Sequence, residues 1–504
     1  MLKYTVDCII FCIITKDEGK SIMAVSVKLK GMNGKVEDKL YGQFIELALN
    51  CINGGIHDPN SVYSDEEGIR KDVVEKAKEL NPPVLRFPGG TIMCQYHWED
   101  AIGPLEDRVV RKNLIWGGEL DPSFGTAEFV SFCRKIGAEP MLCVNMASGT
   151  PEEAGNWVEY CNGVGNTYYA NLRRKHGYEE PFQVKYWCIG NESYAESDIG
   201  VHHNVKLYIR DAWEFIKFMK LTDDSIKTVI VGCEKNDWNK QVLDALHPVT
   251  DYLSVHHYSG EGGKGIYGPF EGEKYLKEVL SEISGLLDTY PVEVTDFNTW
   301  YRFSPRKGKI KIALDEWNIW DFVNDKTYGL LPTYCFRDAL WVASILNLLI
   351  NTPSIGMANM AQMVNVIAPI VSEEKGSWFQ TIAYPLRLYR NTMLGERIEL
   401  SFTSPVIAIN NIGEIDAISL AAVKNEDGTI RIAAVNRDLD KDYVIMPDDA
   451  DIFVDKDVAM TVLFGDSPRA ICSLDYNCVH ENTETVTGDK ILLRAGSINL
   501  ITVG

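Results

Sequence analysis

The sequence predicts an α/β protein, a (β/α)8 TIM barrel followed by an all-β sandwich domain. Three observations carry this prediction. Short β-type runs alternate with longer helical patterns between residues 41 and 389, closely spaced β-type runs follow from residue 390, and the chain has 504 residues. That length is too great for one ordinary domain but sufficient for a large barrel and a smaller second domain. We therefore expect the barrel to span 41–389 and the sandwich 390–504.

Eight apolar runs supply the expected strands of the barrel. They are Tyr41–Ile45, Val84–Phe87, Pro140–Asn145, Val184–Ile189, Thr228–Gly232, Tyr252–His256, Ile310–Leu314 and Gly356–Met360. Between them, apolar residues recur at the spacing of an amphipathic helix. These helical patterns cover Glu67–Leu80, Ala127–Ile136, Lys206–Met219, Lys274–Leu286 and Arg337–Leu349. Eight strand–helix alternations are what a (β/α)8 barrel requires.

The C-terminal region has the pattern of an antiparallel β domain. Its β-type runs are separated by short turns, as at Asn425–Gly428 between Ala417–Val423 and Ile430–Ala434. Further runs are Ala459–Phe464, Lys490–Leu493 and Ile498–Val503. The early segment Met23–Leu29 has the same character. We therefore expect residues 1–40 to supply strands that complete the sandwich.

The charge balance bears on the partners of the protein. The chain has 50 basic and 71 acidic residues, a net charge of −21. Nucleic acids and anionic membranes both need a concentrated positive surface, so neither is expected as the main partner. A neutral substrate is compatible with this charge. The composition, 45% apolar and 24% charged residues, is typical of a soluble globular protein.

The cysteines and the N-terminal segment both favour a cytoplasmic protein. Many of the twelve cysteines lie in apolar stretches and none forms a CxxC pair, which favours reduced thiols. The apolar run Cys8–Ile14 is only seven residues long. A membrane-spanning helix needs about 20 apolar residues, and a signal peptide would begin with more basic residues. We interpret the run as a strand or as an extension before Met23, with secretion as the alternative.

Two glutamates follow apolar strands of the expected barrel. Val184–Ile189 leads into Glu192, and Ile310–Leu314 leads into Glu316. Residues just past the C-terminal end of a barrel strand face the active site, so both carboxyl groups are expected in one mouth. A single such glutamate is more often a solvated loop end. Two facing carboxyl groups, one protonated and one ionised, are the equipment for breaking a glycosidic bond.

At these positions and many others the sequence resembles glycoside hydrolase family 51, the α-L-arabinofuranosidases. The matching motifs run in the order of the family from about residue 40 into the C-terminal domain. They are YGQFIE (41–46), CINGGI (51–56), LRFPGG (85–90), YHWEDAIGP (96–104), FGTAEF (124–129), CRKIGAEP (133–140), WVEYCN (157–162), WCIGNE (187–192), HHY (256–258), LDEWN (314–318), MANMAQMVNVIAPI (357–370) and AAVNR (433–437). The resemblance implies release of terminal α-L-arabinofuranosyl residues from arabino-oligosaccharides with net retention.

The resemblance also implies roles for individual residues. Glu192 would be the acid/base, Glu316 the nucleophile, and Asn191 a hydrogen-bond partner of the sugar 2-hydroxyl. Glu46 and Arg86 would hold the outer hydroxyls and orient the carboxylates. The alternatives are a structural salt bridge for Arg86 and a surface position for Glu46. Retention requires carboxyl groups about 5–5.5 Å apart.

Four further residues are expected around the sugar on the same grounds. Tyr258 would lie near the nucleophile and Gln362 would close the pocket. Trp320 and Trp116 would form aromatic walls against a sugar face. Ordinary core packing is the alternative for all three aromatic residues.

Some features depart from the family pattern or are absent. Thr91 stands where the family commonly has Asn, and Gln43 where it commonly has His. Both lie near the expected sugar pocket, so they bear on substrate preference more than on reaction class. The histidine pairs 202–203 and 256–257 lack the i, i+4 spacing of a helical metal site, so we predict no metal and no cofactor. The family further implies a homo-oligomer, commonly a hexamer.

Two other functions remain open at this point. One is a related retaining glycosidase with shifted specificity, either another furanosidase or a hydrolase of β-xylosides or β-glucosides. The other is a sugar-binding protein without hydrolytic activity, although two glutamates at strand ends argue against it.

Overall fold

A computed structural model of the chain describes residues 13–15, 21–196, 199–448, 457–486 and 490–504. The expected N-terminal run Cys8–Ile14 therefore lies mostly outside the described residues. Its last residues belong to a short strand, Ile13–Thr15.

The described strands and helices follow one another in the order expected for the two regions. The strands are β1 (Ile13–Thr15), β2 (Ser21–Lys35), β3 (Gly42–Phe44), β4 (Val84–Phe87), β5 (Arg111–Lys112), β6 (Glu119–Leu120), β7 (Glu139–Val144), β8 (Tyr186–Ile189), β9 (Lys227–Val231), β10 (Tyr252–Ser259), β11 (Lys311–Ile319), β12 (Ile355–Ala361), β13 (Ile370–Glu373), β14 (Gly376–Phe379), β15 (Glu396–Phe402), β16 (Val406–Ile409), β17 (Gly413–Asp416), β18 (Ile418–Lys424), β19 (Ile430–Asn436), β20 (Tyr443–Pro447), β21 (Val458–Gly465), β22 (Val479–Val486), β23 (Ile491–Leu493) and β24 (Ser497–Val503). The helices are α1 (Lys71–Leu80), α2 (Thr126–Ile136), α3 (Pro151–Asn162), α4 (Tyr168–Lys175), α5 (Val205–Thr222), α6 (Asn236–Leu246), α7 (Gly268–Leu287), α8 (Phe336–Ile350) and α9 (Ala383–Thr392). Short 3-10 helices cover Asp38–Tyr41, Thr91–Cys94, Trp98–Ala101, Leu105–Asp107 and Thr299–Tyr301.

The barrel prediction is confirmed. Strands β3, β4, β7, β8, β9, β10, β11 and β12 pair in parallel and close into a barrel. Each contains one of the eight predicted runs or overlaps it. Strand β11 extends beyond its predicted end at Leu314 to Ile319, so Glu316 lies within the strand rather than after it. The C-terminal ends of these strands form one rim, as the parallel arrangement requires.

The second region is a ten-stranded sheet that encloses its own core. In the sheet, β2 lies between β15 and β20. Met460 on β21, near one end of the sheet, and Ile491 on β23, at the other end, belong to one apolar cluster with Leu420 on β18. The sheet therefore folds over so that its two halves face each other, as in a sandwich. The limits 1–40, 41–389 and 390–504 stay predictions.

Helix α8 joins the two regions. Asn347 on this helix and Asn351, just past its end, donate to the carbonyls of Ser419 and Leu420 on β18, at 3.1 and 2.8 Å. Side chains of β18 and β19 alternate between the barrel core and the core of the sheet, because successive strand residues point to opposite faces. Both regions thus share one packed interface. Among the described helices, none combines the length and the apolar character needed to span a bilayer.

Two of the five predicted helices begin more than one residue away from the predicted start. The pattern predicts a helix from Glu67, but α1 begins at Lys71. Gly68 has a φ of +76°, and the Asp65 carboxylate accepts hydrogen bonds from the amides of Glu67 and Ile69, so these residues form a turn. Helix α7 begins earlier than predicted, at Gly268, with a proline in its first turn.

Candidate active site

The two predicted catalytic glutamates meet at the C-terminal rim of the barrel. Glu192 lies three residues beyond the end of β8, and Glu316 lies on β11. One oxygen of each carboxylate and one ring nitrogen of His256 all lie within 4.8 Å of one another. The backbone of Glu192 has a φ of +40°, in the left-handed region that non-glycine residues seldom adopt. The observed outlier is of the kind that clusters at functional sites.

Glu316 is held by two donors in a buried position. An Arg86 guanidinium nitrogen donates to Oε1 at 2.6 Å, and the Tyr258 hydroxyl donates to Oε2 at 2.7 Å. Both oxygens are therefore engaged, and the side chain is only 6% exposed. The carboxylate is fixed in orientation before any substrate arrives.

Arg86 connects the nucleophile candidate to two further residues. It donates to Asn191 Oδ1 at 2.6 Å and lies 3.5 Å from an Asp315 oxygen. Burial lowers the pKa of the guanidinium, but the charges of Asp315 and Glu316 outweigh burial and raise the pKa above its usual value. The Asn191 amide nitrogen is buried and has no hydrogen-bond partner in the described structure. It is free to donate to a bound hydroxyl group.

Glu192 has a different partner, His256. The Nδ1 atom of His256 lies 2.8 Å from Glu192 and 3.6 Å from Glu316. On the other side of the ring, Nε2 lies 3.2 Å from Ser254 Oγ and 3.5 Å from Asp315. Ser254 in turn donates to Asp315 at 2.6 Å. The imidazole thus connects three carboxyl groups.

The protonation of this cluster follows from its charges. Burial lowers the pKa of His256, but the charge of Glu316 and the hydrogen bonds to Asp315 and Glu192 raise it well above 6.5. Burial raises the pKa of Glu192, but the hydrogen bond and charge of His256 outweigh burial and lower it. Because the two groups are 2.8 Å apart, they share one proton, which resides mainly on the imidazole.

Glu46 is buried beside the same mouth. Its Oε1 accepts from the Ile92 amide at 3.1 Å and from Trp116 Nε1 at 3.2 Å, and its Oε2 accepts from Gln362 at 2.8 Å. Burial raises its pKa to about 7, and the charge of Glu316 acts in the same direction. The alternative of a surface position for Glu46 is excluded, because the residue is only 3% exposed. Thr91, the residue before Ile92, is half-buried at the start of the 3-10 helix Thr91–Cys94.

Aromatic rings form an arc around the mouth. Tyr258 and Trp320 meet edge to face with centroids 5.4 Å apart, and Trp320 meets Phe322 at 6.3 Å. Tyr328 lies 6.3 Å from Phe322 and 6.0 Å from Trp116. Trp320 and Trp116 are half-buried, and Phe322 is 65% exposed. The arc therefore runs from a partner of Glu316 to a partner of Glu46, with an apolar face open to solvent.

The structure brings the predicted polar residues together and adds three that were not predicted. The additions are His256, Asp315 and Ser254. The cluster of Glu192, His256 and Glu316 is compact enough to surround a cation. However, the guanidinium of Arg86 already contacts Glu316 and would repel a metal ion there. Absence of a metal stays a prediction.

Comparisons with known proteins agree with this architecture. The family model described as α-L-arabinofuranosidase 1 domain matches residues 76–264, and that described as α-L-arabinofuranosidase C-terminal domain matches residues 315–490. The α-L-arabinofuranosidase C of Emericella nidulans is 34% identical over 446 residues, covering 84% of this chain and 86% of that protein. The intracellular exo-α-(1→5)-L-arabinofuranosidase of Acetivibrio thermocellus is 34% identical, covering 82% and 85%.

Solved structures give the same result. The arabinose complex of the α-L-arabinofuranosidase from Thermotoga maritima superposes with a TM-score of 0.83 at 34% identity, covering 95% of this chain and 99% of that chain. The GH51 α-L-arabinofuranosidase from Thermotoga petrophila gives a TM-score of 0.84 at 34% identity, covering 95% and 100%. With these identities and coverages, the chain belongs to the α-L-arabinofuranosidases of glycoside hydrolase family 51.

Proposed function

We propose that the protein is an exo-acting, retaining α-L-arabinofuranosidase. The observation that carries this proposal is the approach of the Glu192 and Glu316 oxygens to within 4.8 Å, with His256 between them. Carboxyl groups this close leave room for a covalent intermediate but not for a water attacking directly. The family relatives named above act on arabinofuranosides, which supplies the substrate class.

In the first step, Glu316 attacks the anomeric carbon while Glu192 protonates the departing oxygen. Arg86 and Tyr258 hold Glu316 in place for the attack. The proton comes from the Glu192–His256 pair, because transfer along the 2.8 Å contact converts Glu192 to its acid form. The bond from carbon to the leaving group breaks, and an arabinosyl ester of Glu316 forms.

In the second step, Glu192 acts as a base toward water. The negative charge of Glu316 is the largest of the influences that raise the pKa of His256. Esterification removes this charge, so the pKa of His256 falls in the intermediate. The water gives its proton to Glu192 and attacks the anomeric carbon, and the ester bond to Glu316 breaks. Two displacements at one carbon give net retention.

The other predicted residues bind the sugar. Asn191 donates to the 2-hydroxyl through its unpartnered amide nitrogen, and Glu46 and Gln362 hold the outer hydroxyls. Gln362 Oε1 is also buried without a partner in the described structure, so it can accept from a hydroxyl group. Thr91 and Trp116 complete the wall of this pocket, and Trp320 lies against the sugar face. The mouth is lined on one side by the aromatic arc.

We further propose a cytoplasmic enzyme that acts on arabinose-containing oligosaccharides released from hemicellulose. The Acetivibrio thermocellus relative is named intracellular, which supports this setting. A homo-oligomer, with the hexamer as the first candidate, is proposed from the family alone. Light scattering after size exclusion tests the oligomer.

The proposed reaction is tested by proton NMR of the first product formed from an aryl α-L-arabinofuranoside. We expect the α-anomer of arabinose to appear before mutarotation. Appearance of the β-anomer first would contradict retention. Faster cleavage of an aryl β-xyloside or β-glucoside would contradict the substrate class instead. Absence of turnover on every glycoside would favour the sugar-binding alternative.

A further inference from the structure

A loop of the sheet region, residues 466–478, connects β21 to β22 and lies against the barrel. The Phe336 and Arg337 amides at the start of α8 donate to the carbonyls of Ala470 and Pro468, at 3.0 and 2.9 Å. The Tyr384 hydroxyl of α9 donates to Asn477 Oδ1 at 2.8 Å. The loop is therefore held to the barrel from two helices.

A tight turn within this loop brings two cysteines together. The backbones of Ser473 and Tyr476 pair with each other, with N–O distances of 2.8 and 3.3 Å. Cys472 and Cys478, which flank this pair, have their sulfur atoms 2.8 Å apart. Both are free thiols and both are buried, at 4% and 0% exposure. The separation is well inside ordinary non-bonded contact, and a disulfide of about 2.05 Å needs only a small further approach.

The surroundings also favour reaction between the two sulfur atoms. The thiolate is the species that attacks a disulfide. The hydrogen bond between the two sulfur atoms lowers the pKa of Cys472 to about 7, and the Cys478 amide donates to the Cys472 sulfur at 3.4 Å. Cys472 is therefore the attacking sulfur in a first exchange, and Cys478 is placed to resolve it.

We propose that Cys472 and Cys478 form a reversible intramolecular disulfide when the folded protein meets a low-molecular-weight disulfide such as oxidised glutathione. The Cys472 thiolate attacks oxidised glutathione and releases one glutathione thiolate. Cys478 then attacks the mixed disulfide and releases the second. The two protein thiols are oxidised, one glutathione disulfide is reduced to two thiols, and the two protons pass to solvent or to the departing thiolates. The new bond closes the turn that presents Asn477 to α9.

The sequence allows a direct test. Trypsin cleaves after Arg469 and Lys490, so both cysteines fall in one peptide, 470–490, that contains no other cysteine. The folded wild-type chain is equilibrated in glutathione buffers, quenched with acid, denatured, alkylated with iodoacetamide and digested. We expect this peptide to be about 2 Da lighter than the reduced peptide and to carry no alkyl group.

A denatured sample and two variants provide the controls. The ratio of disulfide to dithiol is expected to be at least about tenfold higher in the folded chain than in chain held in denaturant at the same buffer ratio. Cys472→Ser should leave Cys478 alkylated, whereas Cys335→Ser, at a buried cysteine nearby, should leave the 2 Da loss in place. Full double alkylation of the folded wild type, a stable glutathione adduct without ring closure, or equal ratios in folded and denatured chains would each overturn the proposal.

Discussion

Glu316 and Glu192 share one mouth but differ in how the fold holds them. Glu316 lies within a strand, with both oxygens bound by Arg86 and Tyr258 and a side-chain exposure of 6%. Glu192 lies on a turn after its strand, contacts His256 through one oxygen and is 23% exposed. The first carboxylate is fixed, whereas the second can exchange a proton with its neighbour and with solvent.

This difference matches the two tasks of a double displacement. A nucleophile must keep one geometry, because small displacements of reacting atoms reduce the rate strongly. An acid/base must gain and lose a proton within each cycle, so contact with a titrating partner and with water is an advantage. The surroundings therefore distinguish the roles of two chemically identical side chains.

The largest expected effect comes from removing each carboxylate in turn. Glu316→Ala should reduce kcat by about 10⁴-fold or more on every substrate. Glu192→Ala should reduce kcat/KM by about 10²–10⁴-fold on oligosaccharides, and much less on an aryl glycoside whose leaving group needs no proton. Azide should restore turnover to the Glu192 variant with an α-arabinosyl azide product. The ester of Glu316 still forms in this variant, and azide attack on that ester inverts the anomeric carbon a second time. Equal sensitivity to leaving group in both variants would remove the distinction between the two roles.

The next largest effect is expected from substitution of Arg86. The Arg86 guanidinium contacts Glu316 and Asn191 at the same time, and the single ammonium group of a lysine cannot make both contacts. We therefore expect Arg86→Lys to reduce kcat by about 10²-fold. The matched control is Arg210→Lys, where the guanidinium is on the surface beside Asp211. Steady-state kinetics of both variants measures the effect. A loss in the Arg86 variant no greater than in the control would show that Glu316 keeps its position without this contact.

His256 is expected to set the basic limb of the pH profile of kcat/KM, because it shares a proton with Glu192. Because the pKa of His256 is raised, the Glu192–His256 pair retains its shared proton to a higher pH than Glu192 alone would. His256→Asn should therefore move the basic limb of the kcat/KM profile to lower pH by about one unit or more, with a rate loss of about 10²-fold. His203→Asn, at an exposed position, is the control. A basic limb at the wild-type position would contradict the shared proton.

The same shift has a consequence for stability. Protonation of His256 stabilises the folded chain fully below the ordinary pKa of 6.5, and this contribution is lost as pH rises through the raised pKa. The corresponding decrease in Tm with rising pH should be smaller in His256→Asn.

Glu46 has the smallest expected effect on the chemistry. Because folding raises its pKa from 4.5 to about 7, its contribution to stability is fully present below 4.5 and is lost as pH rises through 7. Glu46→Gln removes this ionisation, so the decrease in Tm between pH 5.5 and pH 8.5 should be smaller than in the wild type. KM should rise more than kcat falls if Glu46 binds sugar hydroxyls in both ground and transition states. An unchanged pH dependence of Tm would show that Glu46 does not titrate in this range.

Much of the fold follows from the sequence because its signals are local. Each barrel strand is a short apolar run, and burial on both faces makes such runs visible without knowledge of their partners. The first and last residues of the strands and helices are predicted less well from the sequence. The pattern predicts strand four from Val184, whereas β8 begins at Tyr186, because Asn162 on α3 binds the Val184 amide and carbonyl. Contacts between distant residues of this kind leave no trace in local periodicity.

The site divides in the same way. The position of Glu192 and Glu316 at the rim follows from the rule for barrel strands. Alternation along β10 also puts Ser254, His256 and Tyr258 on one face. Because Tyr258 is expected in the site, the same alternation could have predicted His256 there. The raised pKa of Glu46 could not be predicted, because it depends on the burial of the side chain and on the charge of Glu316, a residue far away in sequence.

Strand β2 has a consequence for how the protein is made. It lies between β15 and β20, yet Glu396, the first residue of β15, comes 361 positions after Lys35 along the chain. At about 5–20 residues per second, a ribosome needs roughly 20–70 s to deliver the first of these neighbours. During that interval the edges of β2 that β15 and β20 later cover stay open, and open strand edges are templates for pairing with other nascent chains. The barrel can therefore assemble during translation, whereas the sheet must wait for the last part of the polypeptide.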